Sequence, residues 1–341
     1  MTMTVTAFRS SGDEWDDFGS RQPGWTAFHR FGWKRVFEDS LGHECLFWGA
    51  YRTDGELAGV LPLVRVKSAL FGHYLVSLPF LNYGGPLGSD EAIRALAEAA
   101  ADRARADGVK LLELRSRVPL SVDLPVSHRK LTVVLDLPAT PELLTKAFPA
   151  KLRSQVRRPE KEGIETRFGP DQVGPFYQVF SRHMHALGTP AMPRRFFEAL
   201  PAAFGPDVWF GCSYLGRQPV ACGAGFVWGD EFEMTWASAL VEFNRTAANM
   251  GLYFAFMERA MAGGIRTFNF GRCSPDSGTH RFKRQWGSRD EQLHWYQYSS
   301  SGTAATPSPD AGPYAWGPRI WTRLPRIVVD RAGPPIARLI P

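Results

Sequence analysis

The chain has 341 residues, 44% hydrophobic and 22% charged, with a net charge of +6; this is the balance of a globular protein and too long for one ordinary core, so two domains are expected. The mild basic excess allows an anionic partner without requiring a nucleic acid. The N-terminus lacks the apolar region of a signal peptide and no run of about 18 apolar residues occurs, so a spanning helix is excluded and a cytoplasmic location is expected.

In chain order, residues 45–52 (CLFWGAYR) predict a strand, Thr53 to Glu56 a turn around Gly55, and 57–66 (LAGVLPLVRV) the returning strand. The stretch 75–89 is apolar, then glycine-rich. Asp90 to Asp107 is Ala-rich with helical spacing, with Ser89 and Asp90 as cap candidates and Gly108 as its stop. Residues 109–116 and 130–137 are further strands. Between 151 and 161 lie Lys151, Arg153, Arg157, Arg158 and Lys161. A helix there sets Arg153 and Arg157 on one face, and Pro159 should end or kink it. Such a face is either solvated or turned towards phosphates.

The second half repeats the pattern: strand 208–215, turn 216–218, strands 219–229 and 231–238, helix 247–262, strand 265–272. Gly55 and Gly216 mark the two turns, 161 residues apart (216 − 55), and Val109 and Ile265 open the two post-helix strands, 156 apart (265 − 109). The near-equal offsets predict a duplicated α/β unit. The expected division is residues 1–149, residues 150–300, and a segment 301–341. Residues 299–313 read as a flexible linker by composition. The basic, apolar tail is expected to pack back on the first domain, with peripheral contact to an acidic membrane face as the alternative.

Cys45, Cys212, Cys222 and Cys273 are scattered and read as reduced core thiols. His183 and His185 are spaced i,i+2 with no completing ligands, so no metal site is expected. Neither a GxSxG nor a phosphate-loop sequence occurs. The most unusual stretch is FNFGRCSPDSGTHRFKRQWG, residues 268–287. A strand stops at Gly271; turn-forming residues follow, predicting a loop; then cations alternate with Phe282 and Trp286.

That stretch, together with TAFHRFGW (26–33), LPFLNYGGPL (78–87), KLRSQVRR (151–158), HALGTP (185–190) and the tail RLPRIVVDRAGPPIARLIP, resembles the Fem-type aminoacyltransferases, and more narrowly the Fem-like proteins accompanying exosortase and exopolysaccharide systems. The resemblance implies an α/β fold of two tandem GNAT-like domains with mixed sheets. It also implies acyl transfer to an amine, with aminoacyl-tRNA as donor. Lys283 matches the lysine of the family's Phe-Lys motif, near the reacting ends, and is the expected catalytic residue. Acyl transfer develops negative charge on a carbonyl oxygen and needs donors aimed at it. Phe282 and Trp286 are expected to wall the site, Arg272 and Arg281 to hold phosphates, and Thr279 and His280 to donate hydrogen bonds. Arg153, Arg157, Tyr83 and Lys34 complete the expected binding residues; Tyr83 is included because the glycines after it allow close backbone approach. The glycine-rich turn of acyl-CoA enzymes is missing from both halves, since NRTAANMGLY (244–253) has one Arg and one Gly at the wrong spacing.

The expected function is amide formation on an amine-bearing cell-envelope or polysaccharide precursor, at or near the inner membrane face. No cofactor is expected beyond the donor, charged tRNA or acyl-CoA. An acyl-CoA-dependent N-acyltransferase and a non-catalytic scaffold of an exopolysaccharide assembly system are the alternatives.

Overall fold

A computed structural model describes residues 3–300, 302 and 317–340; nearly all of the expected linker lies outside these residues. The strands are β1 (Thr4–Ala7), β2 (Glu44–Tyr51), β3 (Leu57–Ser68), β4 (Gly72–Val76), β5 (Leu87–Gly88), β6 (Leu111–Ser116), β7 (Val126–Ser127) and β8 (Leu131–Asp136). They continue as β9 (Ile164–Phe168), β10 (Val208–Leu215), β11 (Gln218–Trp228), β12 (Glu231–Ala239), β13 (Thr267–Cys273), β14 (Arg289–Gln292) and β15 (His294–Ser299). The helices are α1 (Gly12–Ser20), α2 (Gly32–Leu41), α3 (Asp90–Ala106), α4 (Pro141–Ala147), α5 (Ala150–Lys161) and α6 (Val173–Ala186). After them come α7 (Arg194–Phe204), α8 (Ala248–Ala262), α9 (Gly278–Arg284), α10 (Gly317–Trp321) and α11 (Arg326–Ala337).

Two compact units result, each with a mixed sheet. The first holds residues 3–130, 292–300, 302 and 335–340; the second holds 131–291 and 317–334. The first sheet runs β1-β2-β3-β4-β6-β15-β7, with β5 on β3; the second runs β14-β8-β13-β12-β11-β10-β9. Read from opposite ends, the orders correspond strand for strand. In each, one parallel pair, β4/β6 or β12/β13, follows antiparallel hairpins. The duplication is therefore real, and the helices α3 and α8 are the crossovers that parallel neighbours require.

The units do not follow the expected cut at 149/150. The last strand of the first half, β8, lies in the second sheet, and the last strand of the second half, β15, lies in the first. The tail also divides. His185 Nε2 lies 3.1 Å from Trp321 O, and Arg326 Nη2 donates to Ser181 Oγ at 3.2 Å, so α10 and the start of α11 pack on α6. Only residues 335–340 join the first unit, where Arg338 Nη1 donates to Leu41 O at 3.0 Å.

Local chemistry explains the crossover helices. Ser89 caps α3 through its Oγ, which accepts from Ala92 N; Asp90 and Glu91 sit in the first turn, Arg103 and Arg105 in the last. Its alanines (Ala92, Ala97, Ala100, Ala101, Ala104) bury one face against the first sheet. In the second unit α8 buries Leu252, Tyr253, Phe256, Met257 and Ala260. Helix α5 does not end at Pro159 but runs on to Lys161. Pro159 is buried on α8, where a Cβ at Gly251 would lie 2.8 Å from its ring, so glycine is what lets the two helices approach. All four cysteines are buried thiols.

Candidate active site

The site follows from where each parallel pair ends. β4 and β6 are paired only from Tyr74 to Val76 against Leu111 to Glu113, and β12 and β13 only from Glu231 to Glu233 against Thr267 to Asn269. The last paired residues, Glu113 and Asn269, are 156 apart (269 − 113), the offset of the duplication. Beyond these points the strands part.

In the first unit the chain itself fills the fork. Ser77 N donates to Glu113 O (2.9 Å), Arg115 N to Ser77 Oγ (2.7 Å) and Gly85 N to Arg115 O (2.7 Å). Leu78, Leu81 and Tyr83 are fully buried there. The glycines do allow a close backbone approach, but to β6: a Cβ at Gly85 would meet Arg115 O at 2.9 Å. In the second unit β12 runs on to Ala239 paired with β11, while β13 follows β8 through a bulge between Asn269 and Arg272. The two forks thus differ in how the backbone continues past them.

Asn269 ties this fork together. Its Oδ1 accepts from Gly271 N (2.8 Å) and from Thr132 Oγ1 (2.6 Å), and its Nδ2 donates to Glu231 Oε1 (2.7 Å). All of this is buried. Asn269→Leu, similar in size, strands these partners, so it is expected to destabilise the protein by about 3 kcal/mol in urea unfolding. An unchanged urea midpoint would deny Asn269 this role.

Past the fork, Gly271 and Arg272 have carbonyls that β12 no longer faces. Lys283 takes them: its Nζ donates to Gly271 O (2.6 Å) and Arg272 O (2.9 Å). The expected loop is here replaced by α9. Ser277 caps it, accepting from His280 N at 3.1 Å, so the turn-forming run stops one residue before the helix instead of crossing it. The short helix aims Lys283 back at β13. The side chain is 4% exposed, and burial pulls its pKa down to about 8, against the charges of Cys273 and Glu233, which favour the ammonium, and with Arg272 adding to the decrease. An ammonium carries three hydrogens. Two are on the carbonyls, leaving one for a further acceptor.

The other expected residues are placed as follows. Trp286 is a core residue, not a cleft wall: it is 2% exposed and meets Phe148 edge-on at 5.6 Å. Phe282 packs on Tyr253 at 5.1 Å and is partly buried. His280 accepts from Asp276 N at Nδ1 (3.0 Å), so its proton is on Nε2, 3.0 Å from Asp290 Oδ1. It braces α9. Arg281 donates to Asp276 O at 2.8 Å from an exposed position, Thr279 is exposed on the first turn of α9, and Arg272 is half-buried on β13. Arg153, whose Nη1 donates to Phe148 O at 2.6 Å, and Arg157 line a groove of about 1120 Å³ with Lys146, Phe168 and Phe254. That lining does not include Lys283. In the first unit, Tyr83 is buried against Phe28 at 5.6 Å. Lys34 is held by Glu38 at 2.7 and 2.8 Å, one helical turn on. Tyr83 presents no surface to a substrate, whereas Lys34 is half-buried and held in its ion pair.

Sequence reasoning missed Asn269, Thr132 and Glu231. The signal was present: a single Asn between Phe268 and Phe270 is a polar side chain on the opposite face of a strand whose neighbours are core. Among the described residues no group of three or more His, Cys, Asp or Glu is placed to hold a metal ion.

Residues 146–284, which contain the fork, α5, α8 and Lys283, match the acetyltransferase (GNAT) domain family. No curated protein matches the chain. Among solved structures, FemX is similar with a TM-score of 0.63 and 15% identity, over 87% of this chain and 97% of that one. The C-terminal domain of a putative lysylphosphatidylglycerol synthetase from Agrobacterium fabrum is similar with a TM-score of 0.55 and 13% identity, over 85% and 92%. A tandem GNAT protein from the clavulanic acid biosynthesis pathway is similar with a TM-score of 0.55 and 13% identity, over 89% and 100%. The two sheets are thus those of a two-unit GNAT-like fold, residues 146–284 match an acetyltransferase (GNAT) domain, and the protein is an acyltransferase.

Proposed function

We propose that the protein moves an aminoacyl group from aminoacyl-tRNA to an amine of a cell-envelope or exopolysaccharide precursor, at the fork of β12 and β13. In this reaction the amine nitrogen attacks the ester carbonyl. A C–N bond forms, the ester C–O bond breaks, and the amine proton ends on the released tRNA hydroxyl. The remaining Lys283 hydrogen donates to the carbonyl oxygen as its charge grows, in a dry setting where such a donor is worth more than in water. The observation that carries the reading is this buried ammonium, with two hydrogens on the carbonyls of Gly271 and Arg272 and a third to spare, just past the last paired residues of β12 and β13.

Transfer of an aminoacyl group is supported by the likeness to FemX and to a domain of a putative lysylphosphatidylglycerol synthetase. A phosphate-bearing donor is also supported by the groove. Its Arg153 and Arg157 are cations that donor phosphates could meet, and its lining does not include Lys283. Acyl-CoA is the second reading, favoured by the acetyltransferase family match. Against it, α8 is preceded by Ala247, at φ +55°, and opens on Ala248 and Asn249, with no glycine-rich turn to cradle a pyrophosphate.

The test supplies labelled aminoacyl-tRNA and labelled acetyl-CoA in parallel to the purified protein with amine acceptors. Amide label is expected from the charged tRNA; label from acetyl-CoA alone would replace the first reading by the second. Arg153→Ala with Arg157→Ala is expected to weaken tRNA binding and lower the slope of log K against log salt by about 1.5, as two phosphate contacts are lost. An unchanged slope would make both arginines merely solvated.

A further inference from the structure

Among the described residues nine large apolar side chains are exposed, and five of them, Leu187, Val241, Ile320, Ile327 and Val328, fall on elements that abut one another in the second unit. The connections run through the end of α6. Gly188, beside Leu187, lies against Pro318 of α10, where an added Cβ would be 2.6 Å from Pro318 O. Arg326, beside Ile327, reaches Ser181. Arg182 pairs at 2.6 Å with Glu242, beside Val241. Elsewhere exposed aliphatics occur singly and need no explanation, but a cluster marks an interaction surface.

The cations of this face are as uneven as its aliphatics. Residues 317–334 carry Arg319, Arg323, Arg326 and Arg331, all exposed, against Asp330 alone. Arg326 is engaged with Asp330 at 3.3 Å, which leaves Arg319, Arg323 and Arg331 as the excess. Glu242 is already paired with Arg182. A second copy of the chain is a poor occupant, because a two-fold contact sets a patch against itself and would bring these arginines together. Aliphatic side chains among arginines match a surface that is anionic outside and hydrocarbon beneath.

We propose that this face docks the protein on an anionic lipid bilayer, with Ile320, Ile327 and Val328 entering the headgroup boundary and Arg319, Arg323 and Arg331 on lipid phosphates. It is a peripheral contact, for no helix among the described residues is long and apolar enough to cross a membrane. The inference is independent of which donor the acyltransferase uses.

The experiment is co-sedimentation of the full chain with vesicles of phosphatidylcholine, with and without phosphatidylglycerol. Binding is expected only to the anionic vesicles and is expected to weaken with salt. Arg319→Gln with Arg323→Gln should lower the partition coefficient about 25-fold, from about fivefold per arginine. Ile320→Ser with Ile327→Ser should lower it at least about tenfold, while both double variants keep the parent's thermal midpoint. The proposal is overturned if the parent ignores anionic vesicles at low salt or if neither double variant changes the partition. It is equally overturned if light scattering shows a parental dimer that the isoleucine substitutions dissociate, which would make the face a contact between copies.

Discussion

Lys283→Ala is expected to lower kcat with charged tRNA by about 10²-fold or more, the scale of losing one oxyanion donor, with a much smaller change in KM. The pH profile supplies the sign. The acting form is the ammonium, and its pKa is lowered to about 8, so kcat should be level below that pH and fall above it. Stability moves the other way. The unfolded lysine, with its ordinary higher pKa, binds more protons than the folded one above pH 8, so this group makes the fold more stable as pH rises through that window. Loss of rate there therefore cannot be ascribed to unfolding driven by Lys283. Lys283→Arg keeps a charge at all these pH values and should abolish the alkaline fall without restoring the rate, because a planar guanidinium cannot sit on the two carbonyls and still aim a third hydrogen in the same direction. The contrary result is simple to state. A Lys283→Ala protein with parental kcat and a lowered melting temperature would make the lysine a strut for β13 and nothing more.

The other large effect concerns the exchanged strands. A fragment of residues 1–149 is expected not to fold cooperatively, although it contains the whole first half of the duplication. It lacks β15, which pairs with β6 over six residues from His294 to Ser299. Glu113 and Arg115 are each 1% exposed and form an ion pair at 2.8 Å; Gln297 Nε2 donates to Glu113 Oε2 at 2.6 Å, and the Arg115 guanidinium lies 4.5 Å from the Trp295 ring. Without β15 these charges lose their cover and partners, a loss of several kcal/mol for a buried pair. Circular dichroism melting of the fragment decides the matter, and a sigmoidal transition for 1–149 alone would refute the dependence. A synthetic peptide of residues 292–300 is expected to restore part of the transition.

Much of the architecture was legible in the sequence for a definite reason. Gly55 and Gly216 occupy turn positions with positive φ (87° and 60°), and the apolar runs on either side of them have strand length and are bounded by turn residues. The destination of β8 and β15 was not legible, because a local pattern announces a strand without saying which sheet it joins. Residues 130–137 read as a strand, and only non-local pairing sends it to β13. The helix α9 was hidden by Pro275, Asp276 and Gly278, which spell a turn; Ser277 between them was the cap. Tyr83 and Trp286 were misread for the same reason. An aromatic beside glycines or cations looks like a binding wall, yet both rings fill cores. Lys34 carried its own answer in Glu38, four residues on. Lys283 was singled out through resemblance and its neighbours, but its two carbonyl partners depend on the bulge at Asn269, which nothing in residue spacing announces.

The exchange of strands also orders events at the ribosome. Ser116 of β6 faces His294 of β15, 178 residues later (294 − 116). At about 5–20 residues per second, that separation keeps β6 waiting roughly 10–40 s for its neighbour. The strand that completes the second sheet from the first half, β8, is by contrast already made when β13 emerges. The nascent chain thus seats β8 beside β13 first and carries the first sheet with an open, apolar edge at β6, the kind of edge that pairs with the wrong chain, until synthesis has nearly ended.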